Sequence, residues 1–123
     1  MSEFEKLAVS WIRLHHAELN SDEYIKEFWS FDKLSDFCRK RPHDSWRVIV
    51  EIYERNSDNK IISNLAAGPI EDLLVHHGNL ALILINQYCH EEHKFVEVMK
   101  LIWKNSMADE VWEQLQRLIR IHS

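Results

Sequence analysis

The sequence predicts an all-α fold, either one compact array of about seven or eight short antiparallel helices over residues 1–123 or a short superhelix of helix pairs. Three observations predict it. The 123 residues include two Gly and two Pro, where average usage gives roughly fifteen together, too few turn residues for a many-stranded sandwich or barrel. Apolar residues make up 46% of the chain, with five Trp, five Phe and three Tyr among them, an aromatic content foreign to disordered tails. The long periodic segments repeat their apolar residues at three and four, the spacing of a helix face.

Phe4, Leu7, Trp11 and Leu14, widened by Ala8 and Ile12, mark an amphipathic helix over 3–19. Asn20-Ser21-Asp22-Glu23 supplies a cap with an acid three residues on, opening a second helix near 21–29 through Tyr24, Ile25, Phe28 and Trp29. Ser30 suits the cap of a third, which carries Phe31, Leu34, Phe37 and Cys38. It stops around Arg41, because Pro42 disfavours helical geometry in the residue before it. Pro42 itself fits the first turn of a helix over 43–56, with Asp44 near the positive end and Trp46, Ile49, Val50 and Tyr53 inward. After the polar turn Asn56-Ser57-Asp58-Asn59, the residues Ile61, Ile62, Leu65 and Ala66 make a short helix expected to end at Gly68.

Pro69 to His77 then reads as a separate unit bracketed by Gly68 and Gly78, with Pro where a helix starts and Gly where it ends. Both glycines are expected to terminate helices, and alanine at either to cost more than ~1 kcal/mol if the backbone there is left-handed. Asn79 caps the next helix, whose Leu80–Ile85 stretch is apolar on all sides, as in a helix enclosed by others. A buried strand is the competing reading of six apolar residues in a row, and the dominance of Leu and Ala favours the helix. Phe95, Val98, Met99 and Ile102 mark a helix near 91–104, and Ser106 with Asp109 opens a last one through Val111, Trp112, Leu115, Leu118 and Ile119. Trp11, Trp29, Trp46, Trp103 and Trp112 all fall on apolar faces, where core packing accounts for them.

Leu65-Ala66-Ala67-Gly68-Pro69-Ile70-Glu71-Asp72-Leu73-Leu74, followed by His77-Gly78, resembles a signature of small bacterial helical proteins of unknown function. That signature reads Leu-Ala-Ala-Gly-Pro-Leu-Glu-Asp-Leu-Leu, so Ile70 is the one departure, and an upstream tryptophan such as Trp46 is similar. The resemblance is tight over these residues and loose over the middle of the chain. It implies an all-helical bacterial cytoplasmic protein of this size, with no activity attached.

Charge narrows the function classes. Fifteen Lys and Arg against twenty Asp and Glu leave a formal charge of −5, which repels phosphate backbones and gives no support to nucleic-acid binding. A basic protein is the better electrostatic match. Cys38 and Cys89 are too few for a disulfide framework, and the start Met1-Ser2-Glu3-Phe4-Glu5-Lys6 lacks the basic and then apolar regions of a signal peptide, so a reducing cytoplasm is the default. The stretch Leu73 to Cys89, free of Asp, Glu, Lys and Arg, contains His76, His77, Gly78, Asn79, Asn86 and Gln87 and is short for a membrane span.

Glu71, Asp72, His76 and His77 form the best polar constellation, since Asp72 and His76 stand one helical turn apart with Glu71 beside them. A carboxylate that orients an imidazole suits general-base work or a divalent metal. Helix-end electrostatics explain the same residues more simply, with acids in a first turn and histidines in a last turn. Cys89-His90-Glu91-Glu92-His93 spaces its histidines at three, where the zincin helix needs four. Cys38 sits at an apolar position beside Phe37, as a buried thiol does. Arg39, Lys40, Arg41 and Arg47, with His43, are the one basic cluster, and bases in a last turn complement the helix dipole. Phosphate-loop, nucleophile-elbow and dinucleotide signatures are missing from the sequence.

The leading expectation is therefore a non-enzymatic protein–protein interaction module, of the kind in which an acidic immunity-type protein inhibits a basic partner. The first 37 residues hold eight acids and four bases, a net of −4, enough to steer a basic partner. The candidate partner-binding residues are Asp22, Glu23, Glu27, Asp32, Asp36, Glu71, Asp72, His76 and His77. The alternative is a small hydrolase or metal-dependent enzyme built on Glu71, Asp72 and His76. The leading reading needs no cofactor, metal, nucleic acid or membrane.

Overall fold

Ser2 starts the first helix of the computed structural model, which describes residues 1–123. Its Oγ accepts from the Glu5 amide while Glu5 Oε1 accepts from the Ser2 amide, both at 3.2 Å, and this reciprocal cap opens α1 (Glu3–His16). α1 buries Leu7, Ala8, Trp11 and Leu14 and ends three residues earlier than its pattern predicts, before Asn20 takes a left-handed backbone at φ 64°. Ser21 Oγ caps α2 (Asp22–Glu27), and the chain turns at Phe28 into α3 (Trp29–Lys40). Ser30 is not the predicted cap. It lies inside α3, buried, with its hydroxyl donating to the Glu27 carbonyl at 2.7 Å.

α4 (Pro42–Arg55) begins on its proline, as the sequence predicts, and Asp58 then caps α5 (Asn59–Leu65) by accepting from the Ile61 amide at 2.9 Å. The helix does not stop at Gly68. A π-helical turn over Ala66–Ile70 carries Gly68 and Pro69 and runs directly into α6 (Glu71–His76), so Asn59–His76 is one continuous helical run. Proline removes an amide donor and crowds the preceding turn, and the wider π turn absorbs it without breaking the rod. Gly68 is thus neither a helix end nor an N-cap, and Gly78 is the first residue of α7 (Gly78–Glu91) rather than the stop of α6. His77 joins the two helices, and Asn79 lies inside α7. No glycine has a positive φ.

α7 takes in Leu80–Ile85 as helix, though Ile83 faces solvent, so the stretch is not enclosed on every side. The helix predicted over 91–104 is instead a 3-10 turn, His93–Phe95, and a single α turn, α8 (Val96–Met99), leading to an irregular segment through residue 108. Glu92 accepts from the Lys94 amide at 3.2 Å and starts this tighter path. Phe95, Val96, Val98, Met99, Ile102 and Met107 are all buried along it. α9 (Asp109–His122) closes the chain, with Leu115 fully buried.

The structure contains helices and no strand. α1 packs on α3, α4 and α5, and α4 also meets α7. Contacts between elements distant in sequence are those of a helical array, whereas in a superhelix each pair touches only its neighbours. One apolar cluster runs from Leu7 to Leu115. Its aromatic centre is Phe95, which Trp46, Tyr53 and Tyr88 meet edge-on with ring centroids 5.1–5.9 Å apart, each pair worth roughly 0.5–1.5 kcal/mol beyond area burial.

Candidate functional site

The π turn and α6 lie against α3, and this packing disperses the polar constellation. Glu71 Oε1 accepts from Asn105 Nδ2 at 2.6 Å, which ties it to the segment before α9. His77 Nε2 lies 2.7 Å from the Arg39 carbonyl and donates to it. His76 is exposed. Asp72 remains, partly buried, with its carboxyl pushed above the usual range chiefly by desolvation and then by Glu71, against the opposing pull of His76 and Arg39. Asp72 and His76 do share one face of α6, but Glu71 is held elsewhere. No group of three His, Cys, Asp or Glu side chains is arranged as metal ligands.

The other chemical candidates are occupied structurally. The Cys38 thiol is fully buried, donates to the Pro69 carbonyl at 3.3 Å and is pushed up to about 12, mostly by desolvation, so it stays protonated and unreactive at neutral pH. Cys89 is buried 3.2 Å from the Met99 sulfur rather than exposed with its histidine neighbours, and burial raises its thiol to about 11. In the basic cluster, Arg39 pairs with Asp36 at 2.6 Å and Arg41 with Asp44 at 2.7 Å. Arg41 and Arg47 also lie over the rings of Phe37 and Phe4. These bases are spent on local partners.

The sequence reading missed an apolar surface on α2 and α3. Trp29 is 48% exposed and Trp103 72% exposed, against the expectation that every tryptophan is in the core. The side chains of Leu19, Ile25, Phe28 and Phe31 are also exposed. Tyr24, Phe28 and Phe31 follow one another with centroids 5.7 and 5.4 Å apart. They form one wall of a groove of about 540 Å³, and Leu14, His15, Ala17, Leu19, Lys60 and Asn64 line the rest. Phe31 is shared with a smaller recess that reaches Gly68 and Asp72. Ser35 links that recess to a polar depression flanked by Trp29, Asp32, Asp36 and Arg39. A continuous surface therefore crosses α3 from Leu19 to Asp72.

Charges of both signs stand along it. Asp22, Glu23 and Asp32 are exposed, Asp36 is engaged by Arg39 and, at 3.9 Å, Lys40, while Lys60 lines the groove and Lys33 the depression. Glu27 does not belong to this rim. It is 5% exposed, with Oε2 buried and without a hydrogen-bond partner, so it is inaccessible to a docking protein. The signal for the patch was present in the spacing: Phe28, Trp29 and Phe31 are too close together to share one helix face with Leu34 and Phe37.

A model described as a family of unknown function (DUF6869) matches residues 16–122. No curated protein and no solved structure matches the chain. No helix is long and apolar enough to cross a membrane.

Proposed function

We propose that this chain, which belongs to that family of unknown function, is a non-enzymatic protein-interaction module whose α2–α3 surface docks a basic partner. The observation that carries the reading is the exposed groove of Leu19, Tyr24, Phe28 and Phe31, with the exposed acids Asp22 and Glu23 directly before Tyr24 in the chain and Asp32 directly after Phe31. Contiguous apolar surface bordered by polar residues is the mark of an interaction site. Aromatic anchors supply affinity, and surrounding charges set partner choice and encounter rate. An acidic immunity-type protein that inhibits a basic target is one function of this kind, and a bacterial cytoplasm is its fitting setting.

The hydrolase alternative rests on Asp72, with its raised carboxyl, and His76 on the same face of α6. Its third member, Glu71, is held by Asn105 instead, and the pair has no nucleophile of its own.

Selection of a random 16-residue peptide library against the folded protein tests the proposal. Enriched peptides are expected to combine net positive charge with large apolar residues and to lose at least tenfold in affinity for a Phe28→Ser/Phe31→Ser double variant. No enrichment, or peptides that bind the variant equally well, would overturn it. Turnover of phosphate or carboxyl esters that disappears in Asp72→Asn would replace it with the hydrolase.

A further inference from the structure

The recess at the end of the groove has a chemistry of its own. Trp11, Phe31, Leu34 and Pro69 give it apolar walls, Ser35 and Gly68 complete it, and Asp72 is the only charged group that lines it. Nothing lies within 4 Å of where a Cβ on Gly68 would sit, so a ligand can approach the backbone there closely. The free volume is about 40 Å³, room for roughly three water-sized groups.

Asp72 has charges of both signs around it but no hydrogen bond to its carboxylate. The nearest guanidinium, that of Arg39, is held by Asp36 at 2.6 Å. A partly desolvated carboxylate in an otherwise uncharged recess loses hydration and gains no hydrogen-bond donor in return, a loss that His76 and Arg39 offset only in part. An incoming cation would reverse that balance.

We propose that this recess receives the guanidinium of an arginine side chain, presented by the basic partner docked on the adjoining groove. The inference rests on the docking reading above. Arginine fits better than lysine, because a guanidinium is planar and weakly hydrated, pairs with a carboxylate through two parallel donors and stacks on an aromatic ring. Phe31, 45% exposed, stands at the junction between groove and recess, where such stacking would occur.

The test is nuclear magnetic resonance titration of the labelled full chain with N-acetylarginine methylamide. The neutral isostere N-acetylcitrulline methylamide serves as the comparison. The arginine probe is expected to shift the amide signals of Ser35, Gly68 and Asp72, and citrulline to bind at least tenfold more weakly. Asp72→Asn should abolish the difference between the probes. Gly68→Leu, which keeps the charge and fills the space, should abolish binding of both. Equal binding of the two probes, undiminished binding to Asp72→Asn, or shifts confined to Asp22 and Glu23 would overturn the proposal. If the probe leaves the recess unshifted while the selected peptides still bind the groove, the arginine site is wrong and the docking surface stands. If the peptides also fail, both readings fall.

Discussion

A Cβ added at Gly68 meets nothing within 4 Å, whereas one added at Gly78 falls 2.5 Å from Val111 Cγ2. The two glycines look alike in sequence, yet their substitutions should have opposite signs. Gly68→Ala is expected to stabilise by ~0.5–1 kcal/mol, because Gly in a helical backbone gives up more chain entropy than Ala. Gly78→Ala is expected to cost ~1–3 kcal/mol through overpacking against α9. Adding Val111→Ala should recover part of that loss, and thermal unfolding of the single and double variants measures the coupling. Asp72 lies inside the continuous run Asn59–His76 rather than at a helix start, so the dipole benefit expected from sequence does not apply to it. Its raised folded pKa makes the ionised form a burden, fully present above that pKa and absent below the unfolded value of 3.8. Asp72→Asn should therefore unfold at a higher temperature than the parent at pH 7, with the gap closing as the pH falls through the folded pKa. The short spacing of Phe28, Trp29 and Phe31 was legible as a helix. That these rings stay exposed was not, because exposure depends on whether another element arrives to cover them.

Helix ends show where local grammar and tertiary packing part company. Pro42 starts a helix as the sequence suggests, and the cap expected in Asn20–Glu23 falls on Ser21, one residue after Asn20; Ser2 and Asp58 cap helices by the same local chemistry, each through its own backbone neighbourhood. The Gly68–Pro69 pair imitates a stop followed by a start, but the apolar residues Ile61, Leu65, Ile70 and Leu74 keep one buried stripe across it. The step of five between Leu65 and Ile70, among steps of four, is the trace of the π turn. Residues 91–104 differ for another reason: Phe95, Val98, Met99 and Ile102 keep the helical period and are all buried, but the extended backbone at Glu92, whose side chain accepts from the Lys94 amide, ends α7 and opens a 3-10 turn in place of a continuous helix. At the end of α9, His122 Nε2 lies 2.8 Å from Asn86 Oδ1 and its ring meets that of His90 at 4.9 Å. Desolvation first, then the charges of His90 and His93, hold His122 below the usual histidine range. The unfolded chain therefore binds the proton more readily, so the contribution of His122 is present above pH 6.5 and lost as the pH falls through its folded pKa. Amide exchange in the last turn of α9, corrected for intrinsic rates, should show faster opening at pH 5.5 than at pH 8. His122→Gln should flatten that dependence.

One apolar cluster joins helices from both ends of the chain, and this gives an expectation for the whole molecule. Residues 1–123 should unfold in a single transition, with calorimetric and van't Hoff enthalpies equal and near 85 kcal/mol, a rough figure from ~0.7 kcal/mol per residue. Two resolved transitions would divide the chain into separate units. At this scale the all-α class was the most legible property, because composition and period both report it, and the docking surface was the least, because it is assembled from α2, α3 and the π turn together. The π turn also matters for how chains of this family can be compared. In a regular α-helix one extra residue would turn everything after it by about 100°, and the wider π turn absorbs that residue, so Leu73 and Leu74 stay in phase with Leu65. Forcing the run into a regular α-helix with Gly68 kept would carry both leucines off the buried face and Asp72 away from α3, whereas deleting Gly68 would turn the step of five into one of four and leave the stripe intact. A relative one residue shorter between Leu65 and Leu73 therefore matches this chain through a one-residue gap at the π turn, and an ungapped alignment would pair residues that occupy different sides of the molecule.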